Sequence, residues 1–95
     1  MGTQITIQEI RIWRTLSASI EWLTAREISA LAKVSQITAR QRTRRRVAQG
    51  LVDRVEVFPP RYKLSYKYDV RNVYTQKIEA AAEVFGETAA ATSHG

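Results

Sequence analysis

The stretch Ser35–Gly50, SQITARQRTRRRVAQG, decides the fold of this chain. It begins with a serine, a residue type that caps the first turn of helices, and it ends with a glycine, which commonly terminates them. Five of the seven residues from Arg40 to Arg46 are arginine. The stretch therefore predicts a helix over residues 36–49 that carries a dense positive charge.

The positive charge of the chain is concentrated around that helix. The formal net charge is +6, and the pI is near 10.2. Residues 33–71 carry eleven basic and three acidic side chains, which gives +8, whereas residues 1–32 sum to zero and residues 72–95 to −2. Clustered arginine of this kind is typical of proteins that bind polyanions, although an arginine-rich helix can also be a merely solvated surface.

The composition excludes several other classes of protein. The chain has 95 residues and no cysteine, which bounds it to one domain and excludes disulfides and zinc-thiolate sites. No apolar run approaches the ~18 residues of a membrane-spanning helix, and the first residues lack the basic-then-apolar order of a signal peptide. No carboxylate pair, histidine cluster or glycine-rich phosphate loop indicates an enzyme, a metal site or a cofactor. We therefore expect a cytoplasmic, nucleoid-associated protein that is not an enzyme.

The first part of the chain predicts a helix and a short strand. Apolar residues at three-to-four spacing predict the helix over about residues 7–18. The apolar–polar–apolar triplet Ile20–Trp22 predicts the strand. Both tryptophans, Trp13 and Trp22, are expected in the core.

A capping box marks the start of the next helix. In Thr24–Glu27 the threonine hydroxyl can cap the backbone N–H three residues on, and the glutamate can reach back. The helix is predicted over residues 25–33. Its inward face is expected to consist of Ile28, Leu31 and Ala32.

A β-hairpin and a last helix are predicted after the arginine helix. Alternating apolar residues indicate a hairpin over residues 52–66, with Pro59–Pro60 at its tip because proline cannot continue a central strand. Asp69 is expected to cap a helix over residues 70–85. The small and polar residues 87–95 are expected to be a disordered tail.

Residues 23–54, LTAREISALAKVSQITARQRTRRRVAQGLVDR, resemble the winged helix-turn-helix family of bacterial and archaeal DNA-binding regulators, which includes MarR-like proteins. The resemblance lies in the opening Leu-Thr, the Val-Ser turn and the Gly-Leu-Val that follows the arginine helix. It implies a mainly α fold with a small β-hairpin (α+β), in which residues 1–86 form a winged helix-turn-helix with an added C-terminal helix. The arginine helix would then be the recognition helix, and the hairpin would be the wing.

One feature departs from the family pattern. The family usually has leucines on the buried face of the recognition helix, whereas this chain has Arg42 and Arg46 there. Burying an arginine completely is costly unless the charge is paired. We therefore expect the aliphatic stems of both side chains to lie along apolar surface while their guanidinium groups extend into solvent.

The resemblance implies roles for individual side chains on double-stranded DNA. An α-helix fits the major groove, and helix-turn-helix proteins read bases mainly from the first turns of that helix. Base reading is assigned to Gln36, Ile37, Arg40 and Gln41, with burial of Ile37 as the open alternative. Contacts to phosphate are assigned to Thr24, Ser35, Thr38, Arg44 and Arg45, and contacts of the wing to Arg54, Arg61 and Lys63. The tyrosines around the hairpin leave open a platform for single-stranded nucleic acid, although sheet packing is favoured.

The last helix is expected to make a homodimer. Its apolar stripe consists of Val70, Tyr74, Ile78, Ala81 and Phe85. A stripe of this kind can pack against a second copy or fold back onto its own domain, and both remain open. The expected function is a small transcription regulator, a repressor that binds a palindromic or repeated site as a dimer. The alternatives are a plasmid or phage adaptor for DNA partition, replication or recombination, and a winged helix that binds a protein partner.

Overall fold

The computed structural model describes residues 5–66 and 68–86, so the predicted tail at 87–95 lies outside the described residues. The described part contains four helices and one small antiparallel sheet. The elements are α1 Ile7–Ala18, β1 Leu23–Thr24, α2 Ala25–Ala32, α3 Gln36–Ala48, β2 Val52–Val55, β3 Arg61–Leu64 and α4 Tyr68–Phe85. The predicted α+β class, with a helix after the hairpin, is confirmed.

Hydroxyl side chains cap the first three helices. The Thr6 side chain accepts a hydrogen bond from the Glu9 N–H at 3.3 Å, and the Ser35 hydroxyl accepts one from the Thr38 N–H at 3.0 Å. At the start of α2, the Thr24 hydroxyl accepts from the Glu27 N–H and the Glu27 carboxylate accepts from the Thr24 N–H, which confirms the predicted capping box. These bonds satisfy backbone N–H groups that have no partner inside the helix, and they fix where each helix begins.

A tight turn joins α2 to α3. Lys33 ends α2 in the left-handed region at a φ of 61°. The hydroxyl of Ser29 then donates to the carbonyl of Val34 at 2.6 Å, and the Val34 N–H donates to the Ser29 carbonyl at 3.1 Å. Residues that have a Cβ, such as lysine, rarely adopt this conformation. The two bonds to Ser29 hold the turn that orients α3 against α2.

The sheet has the strand order β1-β3-β2. Leu23 lies opposite Tyr62 across β1 and β3, and Val52 lies opposite Leu64 across β2 and β3. All four side chains are buried, so they form the inner face of the sheet. The first strand was predicted at residues 20–22, which is wrong because Ile20 is exposed in the loop that follows α1.

The core lies between the four helices and the inner face of the sheet. α1 contributes Ile10, Ile12, Trp13 and Leu16, the sheet and the residue before β2 contribute Leu23, Val52, Tyr62, Leu64 and Leu51, and the remaining helices contribute Ile28, Ala32, Ala39, Ile78 and Ala82. Two sequence-based expectations need correction. Trp22 is only half-buried, and Leu31 is exposed because the two turns of α2 bury the i, i+4 pair Ile28 and Ala32 and leave position 31 on the flank.

α4 folds back onto its own domain, where it packs against α1. The Trp13 indole N–H donates to the Thr75 hydroxyl at 3.3 Å, and the Trp13 ring meets the Tyr74 ring edge-to-face at 4.6 Å between centroids. α4 begins at Tyr68, and the cap predicted for the Asp69 side chain lies outside what the structure describes. Among residues 5–66 and 68–86, no helix combines the length and apolar character needed to cross a membrane.

Candidate nucleic-acid interface

The outward face of α3 is solvent-exposed along its whole length. Its exposed residues are Gln36, Ile37, Arg40, Gln41, Arg44 and Arg45. The opposite face is held by Ala39 and Thr43, which are completely buried. Ile37 is 60% exposed, which rules out the alternative that it packs inside the domain. The structure therefore brings the four predicted base-reading residues and two predicted phosphate-binding arginines to one surface.

The first turn of α3 carries two hydroxyl groups and no acidic residue. The Ser35 hydroxyl donates to the Thr38 hydroxyl at 2.9 Å while it caps the helix. The N-terminus of a helix has a partial positive charge and backbone N–H groups directed outward, which together favour an anion. Ser35 is exposed and Thr38 is half-buried, so both lie where an anionic group could approach the helix end.

Thr24 does not lie in a comparable position, although a phosphate contact was predicted for it. Its N–H donates to the Glu27 carboxylate at 2.9 Å, and its hydroxyl accepts from the Glu27 N–H at 3.1 Å. The residue is buried, and the carboxylate of Glu27 occupies the N-terminus of α2 where a phosphate would have to approach. The capping box therefore uses the N–H and the hydroxyl of Thr24 within the chain, and its contact to phosphate stays a prediction.

The three predicted wing cations lie in different environments. Arg54 forms an ion pair with Glu56, with 2.8 Å between Nε and Oε2. Lys63 is half-buried, and its Nζ lies 6.0 Å from the centroids of the Trp22 and Tyr66 rings. Arg61 is exposed at the end of β3 that adjoins the hairpin tip. Arg61 is therefore the wing cation best placed to meet a partner.

A buried ion pair lies behind the outward face of α3, and sequence reasoning missed it. Arg46 is 5% exposed and Glu9 is 2% exposed. One guanidinium nitrogen of Arg46 donates to Glu9 Oε2, and another donates to Gln49 Oε1 at 2.6 Å. Arg42, whose side chain is 30% exposed, donates to the same Glu9 oxygen at 3.2 Å. The expectation that both guanidinium groups extend into solvent is therefore wrong: they turn inward because α1 provides a carboxylate.

The sequence held one signal for this pair. Glu9 lies four residues before Trp13 and seven before Leu16, so it shares the buried stripe of α1 with them. A charged residue on such a stripe is rarely buried unless it is paired. The partner could not be identified from the sequence alone, because Arg46 lies 37 residues further along the chain.

Tyr74 of α4 completes the cluster around Arg46. The Arg46 guanidinium carbon lies 4.9 Å from the centroid of the Tyr74 ring, within the range of cation–π attraction. Burial raises the pKa of Tyr74 to about 12, and the nearby positive charge of Arg46 opposes part of that rise. Tyr74 therefore stays neutral at physiological pH and presents an uncharged ring to the guanidinium group.

The inward pair changes how the charge of α3 should be counted. Arg42 and Arg46 share the carboxylate of Glu9, so part of their charge is compensated inside the domain. Arg40, Arg44 and Arg45 remain exposed on the outward face. Three arginines of α3, rather than all five, are therefore in position to face a polyanion.

The predicted dimer stripe is divided by the packing of α4. Ile78 is completely buried in the core of its own chain, and Tyr74 packs against Trp13, so neither is free to meet a second copy. Ala81 is half-buried. Val70 and Phe85 are exposed, as are the neighbouring apolar residues Val73 and Val84. Within the single chain, Ile78 and Tyr74 are therefore used in the packing of α4 on its own domain, and the dimer contact through the stripe stays a prediction.

Comparison with known proteins identifies the fold. No protein-family model and no curated protein matches the sequence. A MarR family transcriptional regulator from Silicibacter pomeroyi DSS is 21% identical with a TM-score of 0.60, and the match covers 90% of this chain and 58% of that one. Another, from Silicibacter pomeroyi DSS-3, is 20% identical with a TM-score of 0.60 over 84% of this chain and 56% of that one.

These two matches cover most of this chain. The chain spans a little more than half the length of each of the two regulators. At about 20% identity the likeness establishes the fold and leaves the activity to be argued from the site. At the level of the fold, the resemblance noted in residues 23–54 is confirmed, because the chain has the winged helix fold of the MarR family transcriptional regulators.

Proposed function

We propose that this chain is a sequence-specific double-stranded DNA-binding protein that regulates transcription. The observation that carries the proposal is the exposed face of α3, where Arg40, Arg44 and Arg45 stand on a helix whose opposite side is anchored in the core. An α-helix of this kind fits the major groove, and its arginines can meet both base edges and phosphates. The solved structures that share the fold are described as transcriptional regulators, which supports the same conclusion.

The position of each side chain along α3 suggests its role. Gln36, Ile37, Arg40 and Gln41 belong to the first turns, which reach base edges when a helix of this type enters the groove. Glutamine can pair with adenine through two hydrogen bonds, arginine can do so with guanine, and an isoleucine side chain can contact the methyl group of thymine. We infer that these four side chains read the sequence of the site.

The remaining polar groups are better suited to the DNA backbone. The hydroxyls of Ser35 and Thr38 lie at the helix N-terminus, where an anion is favoured. Arg44 and Arg45 follow one turn after Arg40 and Gln41 on the same exposed face, and we infer that they contact phosphates. On the wing, Arg61 is the candidate for the minor groove, with Arg54 and Lys63 as weaker contributors because both already have partners. Phosphate contacts supply most of the affinity and its salt dependence.

We further propose that the protein binds as a homodimer and represses by occupying a palindromic or repeated site. A single small module buries little DNA surface, so a second copy would increase the affinity for the site. Val70 and Phe85 leave an exposed apolar margin on α4 for such a contact. To read two half-sites one turn of DNA apart, the two recognition helices would have to lie about 34 Å apart.

Selection of genomic DNA fragments by the purified protein, followed by gel-shift titration at physiological salt, tests the proposal. We expect enrichment of one motif in two copies and a clear preference for it over scrambled duplexes. Equal binding to every duplex would refute sequence-specific regulation. Cooperative spreading along arrayed copies of the motif would instead favour a partition or replication adaptor.

A further inference from the structure

The tip of the wing presents an exposed phenylalanine, Phe58, between Glu56, whose carboxylate pairs with Arg54, and Arg61. The loop between β2 and β3 consists of residues 56–60, EVFPP. Phe58 is 98% exposed, and its neighbour Val57 is also exposed. Phenylalanine is among the residue types most often buried in proteins, and the fold offers this one no cover. Single exposed apolar residues are common, so the significance of Phe58 depends on its surroundings.

The surroundings give the tip a defined shape. Pro59 and Pro60 follow Phe58 directly, and each proline ring fixes one backbone φ. The base of the hairpin is held by paired strands, with Val55 opposite Arg61 and Arg54 opposite the buried Tyr62. The loop is therefore a short, restrained projection that needs little ordering when it meets a partner.

The charge around the tip indicates what kind of partner it meets. Arg61 is exposed directly after the two prolines, and α3, which carries the exposed arginines, leads into β2 through Gly50. An exposed phenylalanine beside an arginine is poorly suited to an apolar protein surface, because binding there would remove water from the guanidinium group. It is suited to DNA, where the bases are apolar and the phosphates around them are anionic.

We propose that Phe58 is a wedge that inserts between two neighbouring base pairs from the minor groove, with Arg61 beside it in the same groove. The inference rests on the proposed DNA-binding function and adds a consequence, which is that the protein kinks its site. Apolar side chains that enter the minor groove unstack a base step and bend the duplex toward the major groove. Pyrimidine–purine steps such as TA and CA unstack most easily, so one such step is expected where the wing meets the DNA.

Replacement of Phe58 by alanine in the full chain tests the wedge on the selected DNA duplex. Because the side chain is exposed, Phe58→Ala is expected to leave the melting temperature unchanged. We expect affinity to fall by about 5- to 150-fold, the range that one base–aromatic stack contributes. The bend measured by fluorescence energy transfer between the duplex ends should disappear, and so should the fluorescence rise of 2-aminopurine placed at the kinked step.

Tyr66→Ala is the matched control, because Tyr66 is an exposed aromatic residue beyond the other end of β3. It should leave both the bend and the 2-aminopurine signal as they are in the unchanged protein. Wild-type protein that binds the duplex without bending it, or a Phe58→Ala variant that still bends it, would overturn the wedge and leave the proposed function standing. Loss of affinity without any change at the base step would also overturn it. Failure of the wild-type protein to bind any duplex would instead refute the proposed function.

Discussion

Replacing Glu9 by glutamine tests the buried pair that anchors α3. The substitution keeps the size of the side chain and removes its charge, so Arg46 is left 5% exposed with no carboxylate to compensate it. Removing one partner of a buried ion pair typically costs about 3–5 kcal/mol. A domain of this size has a free energy of unfolding of about 5–15 kcal/mol, so Glu9→Gln should remove a large share of it. Arg42 adds little to this loss, because its side chain is 30% exposed and can turn to water.

The measurement is urea unfolding followed by circular dichroism, with the free energy of unfolding extrapolated to water. The matched control is Glu79→Gln, which breaks the ion pair with Arg14 at 3.1 Å. Because Glu79 is about half exposed, this loss should stay below about 1 kcal/mol. The double replacement Glu9→Leu and Arg46→Met should recover most of the stability, since removing both charges of a buried pair is often neutral.

If Glu9→Gln loses no more stability than Glu79→Gln, then Arg46 reaches solvent easily once its partner is gone. The inward orientation would then contribute nothing to holding α3. If the double replacement is as unstable as Glu9→Gln, the loss would come from the shape of the site and not from an uncompensated charge.

Three further predictions concern the tyrosine, the turn and the recognition face. Burial raises the pKa of Tyr74 to about 12, above its ordinary value of 10.0. Between pH 10 and 12 the unfolded chain therefore releases the phenolic proton before the folded chain does, and the free energy of unfolding should fall as the pH rises. In Tyr74→Phe, the midpoint of urea unfolding should depend less on pH over this range. Lys33→Gly should raise stability by about 0.5 kcal/mol, because relief of the left-handed conformation outweighs the entropy cost of glycine; a clear loss in thermal unfolding would contradict this. Arg40→Ala should reduce the binding free energy by about 1–3 kcal/mol at the preferred site alone. Arg44→Ala should weaken binding to all duplexes and reduce the slope of log affinity against log salt concentration by about one. Gel shifts on the preferred and the scrambled duplexes measure both effects.

The outward face of α3 could be predicted because local rules determine it. Ser35 caps the helix, Gly50 ends it, and the helical period then fixes which side chains share a face. The direction of Arg46 could not be predicted in the same way. Its direction depends on a carboxylate 37 residues earlier that meets it only after α1 and α3 have packed together.

The apolar stripe of α4 illustrates a second limit of sequence reasoning. Periodicity shows that a helix has an apolar side, but it does not say which surface covers that side. Ile78 satisfies the pattern equally well whether it packs on α1 or on a second copy. The structure decides for α1, because Trp13 offers both a ring to Tyr74 and an N–H to Thr75. Only the residues beyond this contact, such as Val70 and Phe85, remain for another partner.

The arginine run divides into two groups because of helical phase. Arg42 and Arg46 are four residues apart and turn inward to Glu9, while Arg40 and Arg44 are also four apart and turn outward. The arginines therefore have two roles: Arg42 and Arg46 attach the helix to α1, and Arg40 and Arg44 face solvent. Tyr74 of α4 lies over Arg46, so α1, through Glu9, and α4, through this ring, contact the same guanidinium group.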